Sequence, residues 1–283
     1  MELHLLHNGH IKQEADFALE PTNRGLYFGD SLFESMHAHS TSIPLFRRHI
    51  DRLLQGMEVL GYEQPANFTH SDLEAAITKL LNRNKQFKST RVRLTVYRNP
   101  GGLYLPATNR VSYLVQTAEL PFDKLEHKQP SMIVGVFPNQ VKCAGEISPF
   151  KTGNALLYVQ AARFAKQNQL HDCVIVNQHG RYVELTSSNI FGIKGDTLTT
   201  PPLQEGCVAG VMRSYIVNVL APQLGYNVQL KPIAQRDFLE FDEVFATNAI
   251  TGIRNIVGIG TKRYYSTRFR KMQQALQELL FGA

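Results

Sequence analysis

The sequence predicts an α+β fold with two lobes, and three observations support this prediction. Its 283 residues exceed the length over which a single hydrophobic core usually keeps growing. Apolar residues make up 43% of the chain and charged residues 19%, which is the balance of a globular protein rather than of a fibre or a disordered tail. Strand and helix patterns come in bunches instead of alternating strictly, and this order favours mixed or antiparallel sheets over a doubly wound parallel sheet.

The first part of the chain carries the patterns of a hairpin, two helices and two strands. Asn8-Gly9 is a strong hairpin signal because both residues tolerate a positive φ. Ser71 opens the Ser-x-x-Glu sequence of a helical capping box. Apolar spacing of three and four residues predicts the helices, and alternation predicts the strands. The expected elements are the hairpin around Asn8-Gly9, helices between Pro44 and Gly61 and from Ser71, and strands over 91–97 and 111–117.

The second part of the chain follows a segment that is rich in proline and charge. Residues 121–130 contain Pro121 and Pro130 and predict a linker, so the expected domains are 1–120 and 131–283. The elements expected in the second domain are strands over 132–137, 173–177, 181–185 and 243–246, and helices over about 154–169, over 208–220 and from about Thr267.

Composition excludes several classes of protein. The net charge of +6 is spread along the chain, without the clustered Lys/Arg helix or stacking aromatic motif of a nucleic-acid binder. Cys143, Cys173 and Cys207 are widely spaced and predict neither a disulfide framework nor a zinc knuckle, and we expect no metal site. The start of the chain lacks a signal-peptide pattern, and no run approaches the ~20 apolar residues of a membrane span. These features predict a cytoplasmic protein.

Two ionisable residues stand in settings that suit catalysis. Lys151 lies in an apolar turn with proline and glycine before a predicted helix, and partial dehydration lets a lysine amine act as a nucleophile. Glu184 lies near the end of a predicted strand, where a buried carboxylate needs a cation or a proton donor. The alternatives are a solvated surface lysine and an edge carboxylate in water.

Two loops have the composition of a phosphate site. Residues 186–189, Thr-Ser-Ser-Asn, offer hydroxyl groups and backbone amides. Residues 206–213 lead from glycine into a predicted helix, whose first N–H groups lack acceptors within the helix and lie at the positive end of its dipole.

The order and spacing of these features resemble the signature of the class IV aminotransferases, the fold-type IV pyridoxal-phosphate enzymes. Segments 24–34 and 49–53 also look like two upstream blocks of that family, so the resemblance covers nearly the whole chain. The residues that match the signature are Glu184, Thr186, Asn189, Ile190, Phe191, Leu198, Thr200, Val208, Gly210, Val211 and Arg213.

The resemblance implies a small amino-terminal α/β lobe, a larger carboxy-terminal lobe with mixed sheets, and pyridoxal 5′-phosphate as cofactor. It implies that Lys151 forms the Schiff base and moves protons, that Glu184 pairs with the pyridine nitrogen, and that Arg52 binds the phosphate. It also implies a homodimer in which a partner loop completes each site. The remaining residues that it implies are Ser187, Ser188, Val211, Met212, Asn248 and Ala249 at the cofactor, and Phe28 and Arg93 at the substrate.

The sequence departs from some relatives at the implied phosphate site. Met212 stands where related enzymes often have threonine, so only its backbone N–H is expected to bind. Asn248 and Ala249 stand where some relatives have serine and threonine, which removes the hydroxyl contacts expected from that loop.

Within the family, the sequence favours an enzyme like 4-amino-4-deoxychorismate lyase, which releases pyruvate and 4-aminobenzoate. The Arg-x-His sequence with which D-amino-acid aminotransferases bind the substrate carboxylate is missing here. Leu103-Tyr104-Leu105 stand near its position. Phe33-Glu34 and Arg93 instead resemble the aminotransferases, so a branched-chain or D-amino-acid aminotransferase is the alternative. A non-catalytic cofactor-binding homologue is the alternative from another class. The segments that look more like the lyase are 98–102, 210–213 and 247–249.

Overall fold

The computed structural model describes residues 2–124, 130–265 and 268–282. The strands within these ranges are β1 (His4–His7), β2 (His10–Gln13), β3 (Ser31–Ala38), β4 (Thr90–Arg98), β5 (Val111–Glu119), β6 (Met132–Val136), β7 (Asp172–Val176), β8 (Tyr182–Leu185), β9 (Asn189–Lys194), β10 (Thr197–Thr200), β11 (Asn227–Leu230), β12 (Glu243–Asn248), β13 (Gly252–Ile259) and β14 (Lys262–Arg263). The helices are α1 (Arg24–Phe28), α2 (Phe46–Val59), α3 (His70–Arg83), α4 (Leu156–Gln167), α5 (Val211–Tyr215), α6 (Ala221–Gln223), α7 (Gln235–Glu240) and α8 (Phe269–Phe281).

The chain folds into two compact units, whose bounds differ from those of the expected domains. The first unit runs to Lys124 and also takes in Phe150–Asn154, and the second contains the rest of the chain. Lys151 therefore belongs to the first unit and not to the expected domain 131–283. The expected linker over 121–130 lies partly outside the described residues.

Backbone hydrogen bonds explain why the segment around Lys151 joins the first unit. The Phe33 N–H donates to the Lys151 carbonyl at 2.8 Å, and the Gly153 N–H donates to the Ser31 carbonyl at 2.8 Å. Through these bonds the segment around Lys151 pairs with β3, although the two are far apart in sequence. No local pattern could have indicated this pairing.

The first unit is built on an antiparallel sheet in the order β2-β1-β5-β4-β3. Leu32, Glu34 and Met36 alternate along β3 and are buried, and α2 packs against this strand. Phe33 and Ser35, which point to the opposite face, are only partly buried. The two faces of β3 therefore offer different environments to the side chains around them.

The predicted turn and helices of the first unit are confirmed, except for one cap. Asn8 and Gly9 have φ values of 48° and 84°, as a two-residue hairpin turn requires. The helix expected to start at Ser71 starts one residue earlier, because Thr69 is the N-cap and its Oγ1 accepts the Asp72 N–H at 3.2 Å. The prediction of a capping box at Ser71 was therefore wrong.

The second unit is built on a mixed sheet in the order β11-β10-β9-β12-β13-β6-β7-β8, with β14 beside β13. β6 lies parallel to both β13 and β7, and β10 lies parallel to β11. β8 also pairs with β9 through Glu184 and Asn189. The strands from β9 through β12, β13, β6 and β7 to β8 therefore close on themselves, and the closure brings Glu184 to the beginning of β9.

The carboxy-terminal helix is tied to the sheet of the second unit by a buried carboxylate. The N–H groups of Arg268 and Phe269 donate to the two oxygens of Glu243 at 2.8 and 2.9 Å, which satisfies amides that the helix itself leaves unpaired. The predicted start at Thr267 lies outside the described residues. Among the described residues, no helix is both long enough and apolar enough to cross a membrane.

Candidate active site

Glu184 is a buried carboxylate that accepts hydrogen bonds from three donors. Its Oε1 accepts from Lys142 Nζ at 2.5 Å and from the Tyr158 hydroxyl at 2.7 Å, and its Oε2 accepts from the Val208 N–H at 2.8 Å. Only 3% of Glu184 is exposed, which excludes the alternative of an edge carboxylate in water. The donors offset the free energy lost when a charge leaves water.

Tyr158 acts toward Glu184 as a hydrogen-bond donor. Burial raises the pKa of the Tyr158 phenol, and the charge of Glu184 and the hydrogen bond to it raise that pKa further. The phenol therefore keeps its proton at any pH near neutrality, so the Tyr158 oxygen donates to the carboxylate.

Lys142 is a residue of this site that the sequence analysis missed. Its N–H donates to the Val176 carbonyl at 2.8 Å, and it forms a bridge with Asn177, so it lies beside the end of β7. Its partner Glu184 is 42 residues away in sequence. No short-range pattern indicates such a pair, because the sheet and not the local chain brings the two residues together.

Glu184 and Asn189, the pair through which β8 meets β9, both bind the backbone of Val208. Its N–H donates to Glu184, and its carbonyl accepts from Asn189 Nδ2 at 2.8 Å. Glu184 and Asn189 lie opposite each other because the turn between them is tight, with the Leu185 N–H donating to the Ser188 carbonyl at 2.8 Å. This geometry explains the spacing of Glu and Asn in the signature.

Gly210 is required by the close approach of the same loop to Asn189. A Cβ added to Gly210 would overlap the side-chain oxygen of Asn189. Because Asn189 is buried and bound to Val208, it has little freedom to move away. The glycine of the signature therefore has a packing reason.

Gly210→Ala is expected to lower the free energy of unfolding by about 2 kcal/mol, the range of overpacked cores. The added methyl group displaces Asn189 and breaks its hydrogen bond to Val208. Denaturant unfolding of both proteins measures the difference. In an Asn189→Ala background, the same substitution should cost much less, since the overlapping atom is gone. An equal cost in the two backgrounds would contradict this explanation.

The helix after this loop begins at Val211 and not at residue 208 as predicted. Both backbone polar groups of Val208 are bound to side chains of the sheet, so the helix starts after Gly210, which is its N-cap. Val211 and Met212 are 5% and 3% exposed, and their apolar side chains carry no donor, so these residues can offer a phosphate only their backbone N–H groups. The helix continues through a π turn over Ile216–Leu220 into α6.

The two turns expected beside the phosphate lie next to each other. Asn248 Nδ2 donates to Ser188 Oγ at 3.0 Å, while Asn248 Oδ1 accepts the Thr251 N–H at 2.8 Å within its own turn. Ser187 is exposed in the first turn, and Ala249 is partly buried in the second. The neighbouring positions of β9 and β12 in the sheet produce this contact.

In the first unit, Lys151 and Arg93 both contact the ring of Phe33. Lys151 Nζ lies 4.5 Å from the ring centroid and Arg93 Cζ lies 3.9 Å from it. Burial lowers the pKa of Arg93, and the charge of Arg91 lowers it further. The partial burial of Lys151 and its ring contact exclude a fully solvated surface lysine. Arg93 is a partly dehydrated guanidinium, a group well suited to bind a carboxylate.

Arg52 reaches the opposite face of β3. Its Nε and Nη2 donate to the two oxygens of Glu34 at 2.7 and 2.5 Å, and His49 Nδ1 lies 2.7 Å from Glu34 Oε2. Glu34 follows Phe33 in the strand, so their side chains point to opposite faces. These contacts make Arg52 part of a buried ion pair and do not by themselves support its implied phosphate role.

Phe28 lies beside an apolar loop. Its ring is 4.7 Å from Arg24 Cζ and 5.7 Å from the ring of Tyr104, which is 90% exposed. Arg24 donates to the carbonyls of Gly101 and Leu103 at 3.1 and 2.6 Å and so holds the loop in place. The implied role of Phe28 at the substrate stays a prediction.

The structure groups the predicted residues within each unit. In the second unit it brings together Glu184, the start of α5 and the turns that carry Ser188 and Asn248. In the first unit it brings Lys151 and Arg93 to the ring of Phe33, and it pairs Arg52 with Glu34 on the other face of β3. Lys151 and Glu184 belong to different units.

Comparisons with known proteins show which family the chain resembles. A sequence model described as amino-transferase class IV matches residues 31–259. An aminodeoxychorismate lyase of Vibrio harveyi is 23% identical over 239 residues, which cover 84% of this chain and 86% of the relative. A D-alanine aminotransferase of Bacillus licheniformis is 22% identical over 266 residues, which cover 90% and 88%.

A solved structure shows that the fold is also shared. The branched-chain amino acid aminotransferase from Thermobaculum terrenum, in its PLP form, has a TM-score of 0.87 and 17% identity, and the match covers 99% of this chain and 94% of that one. The α+β prediction and the mixed sheet of the second unit are confirmed. Because the family model spans most of the sequence, the chain belongs to the class IV aminotransferase family.

Proposed function

We propose that this protein is a pyridoxal-phosphate enzyme that acts at the Cα of an amino-acid substrate, with a reaction like that of 4-amino-4-deoxychorismate lyase. The observation that carries the proposal is the buried Glu184 carboxylate, which accepts the Val208 N–H on Oε2. The PLP form of the Thermobaculum relative supports the cofactor. The proposal includes the homodimer that the resemblance implies.

The residues of the second unit fit this cofactor. A carboxylate oxygen accepts two hydrogen bonds, so Oε2 of Glu184 retains one position for a protonated ring nitrogen. The N–H groups of Val211 and Met212 suit a phosphate, and the turns of Ser188 and Asn248 lie side by side. When bound, the cofactor supplies an electron sink that stabilises negative charge at the substrate Cα.

Three side chains carry the proposed reaction. The Lys151 amine takes the proton from the substrate Cα and returns a proton later in the reaction. Glu184 holds a proton at the ring nitrogen through Oε2. Arg93, partly dehydrated against Phe33, binds the substrate carboxylate.

The loop that follows β4 supports the lyase. Leu103-Tyr104-Leu105 supply no cation near the position where the D-amino-acid aminotransferases have their Arg-x-His trap. Arg24 is buried and already bound to Asp30 and to the loop carbonyls, so it does not replace that trap. A carboxylate contact from this loop is therefore not expected.

Arg93 and Glu34 support a second candidate, a branched-chain aminotransferase. Glu34 resembles the aminotransferases in general, and Arg93 resembles an arginine of the branched-chain enzymes that binds the substrate carboxylate. Arg93 is also one of the two cations that contact Phe33. The relatives divide between the two reactions, since they include a lyase and aminotransferases.

Parallel product assays separate the candidates. The purified protein is supplied with aminodeoxychorismate and assayed for 4-aminobenzoate, and separately with L-leucine or D-alanine plus a keto-acid acceptor and assayed for the new keto acid. We expect 4-aminobenzoate. Keto acid without 4-aminobenzoate would replace the lyase by the aminotransferase. A yellow protein that is bleached by borohydride but inactive in every assay would indicate a non-catalytic homologue.

A further inference from the structure

We propose that Lys142 and Tyr158 are positioning residues that orient Glu184 so that Oε2 faces the ring nitrogen of the cofactor. This inference rests on the proposed function, because it assumes that Glu184 meets that nitrogen. Neither residue belongs to the signature on which the resemblance depends. Both reach Glu184 only in the folded chain.

The hydrogen bonds make the two oxygens of Glu184 unequal. Oε1 accepts from both Lys142 and Tyr158, which fills the two acceptor positions of a carboxylate oxygen. Oε2 accepts from Val208 and keeps one position. A further N–H donor can therefore bind Glu184 well only at Oε2.

The same contacts oppose rotation of the carboxylate. Turning the carboxylate plane away from this position would lengthen the bonds from Lys142, Tyr158 and Val208 together, because each donor is directed at an oxygen of the present orientation. The Glu184 and Lys142 side chains are 3% and 10% exposed, so solvent does not readily replace a lost partner. Loss of one charge from a buried pair leaves the other uncompensated, which is costly.

The donors come from three separate parts of the second unit. Lys142 is anchored by its own N–H to the Val176 carbonyl, Tyr158 lies on α4, and Val208 is held by Asn189. Because all three donors are groups of the protein itself, they orient Glu184 before the cofactor binds. The site is therefore pre-organised for a protonated ring nitrogen.

Cofactor titration of the full-length protein tests this inference. Pyridoxal phosphate is compared with its 1-deaza analogue, in which a C–H group replaces the ring nitrogen, by measuring Kd and the visible absorbance of the bound form. Wild type should prefer pyridoxal phosphate. Lys142→Met should reduce this preference by about 10- to 100-fold, by analogy with the loss of residues that orient metal-binding side chains. Lys142→Arg should restore most of the preference, because the charge returns.

Each outcome separates the inference from the proposed function. If Lys142→Met weakens both cofactors equally, or neither, Lys142 is a packing residue and the inference is wrong. If wild type binds pyridoxal phosphate no better than the analogue, Glu184 does not meet the ring nitrogen, and the inference fails together with that role. Absence of any cofactor binding would overturn the proposed function itself. Tyr158→Phe, which removes only the hydroxyl, provides the same comparison if Lys142→Met does not fold.

Discussion

Replacing Lys151 by alanine is expected to lower turnover by at least about 10⁴-fold, since in the proposed function the same amine attaches the cofactor and moves the substrate proton. The visible absorbance that a lysine-bound cofactor gives should disappear as well. Steady-state assays with whichever substrate the product assays select and an absorbance spectrum of the purified variant measure the two effects. Normal turnover in Lys151→Ala would refute the assignment of this lysine.

A second lysine provides the control for this experiment. Lys166 lies exposed in the last turn of α4, so Lys166→Ala removes the same chemical group from the surface and should leave turnover unchanged. Reduction of the wild-type holoenzyme with borohydride should fix the cofactor to the peptide that contains Lys151, as detected by mass spectrometry. Attachment to another peptide would assign the reactive amine elsewhere.

Glu34→Gln is expected to lower the free energy of unfolding at pH 7 by about 3–5 kcal/mol, the cost of breaking a buried ion pair. Glutamine keeps the size of the side chain, so the loss comes from leaving the Arg52 charge without its carboxylate. Equilibrium unfolding in denaturant measures this change.

The pH dependence of stability gives a separate test of Glu34. Burial alone would raise the pKa of Glu34, but the charge of Arg52 and the hydrogen bond with His49 outweigh burial and lower the pKa to about 2. A pKa lowered by folding stabilises the protein above the ordinary pKa near 4.5, and this stabilisation is lost as the pH falls toward 2. It amounts to about 3 kcal/mol. The stability difference between wild type and Glu34→Gln should therefore shrink as the pH falls through this window.

An exposed ion pair supplies the control for Glu34. Glu240 pairs with Lys194 at 2.9 Å, and both side chains are exposed, so Glu240→Gln makes the same chemical change where water screens the charge. We expect no measurable loss of stability from it. If the two variants lost the same stability, or if the difference for Glu34→Gln did not vary with pH, the buried pair would not be the cause.

Short-range patterns were sufficient to predict most helices and strands and the signature of the site. The hairpin at Asn8-Gly9 depends on two adjacent residues, and amphipathic helices depend on spacings of three and four. Glu184 and Asn189 also lie within one tight hairpin, so their spacing reflects a local geometry. Such patterns can be recognised because the interacting groups are neighbours along the chain.

Long-range contacts could not be predicted in this way. Lys142 meets Glu184 across 42 residues, and the Lys151 segment joins the first unit through hydrogen bonds to β3. Arg52 also pairs with Glu34, which lies in another element, and no local pattern indicated this ion pair. In each case, the order of strands or the packing of a helix selects the partner.

The sequence by itself determined the α+β class and the family, because their patterns are recorded in local spacing, and the family resemblance led to the proposal of Glu184 and Lys151 as the acid and the amine of the site. Only the tertiary structure decided how Glu184 is held: closure of the sheet opposite Asn189 brings Val208 to one oxygen, and Lys142 and Tyr158 to the other. The physical reason is that a buried carboxylate must be matched by donors in three dimensions, and distant segments supply them.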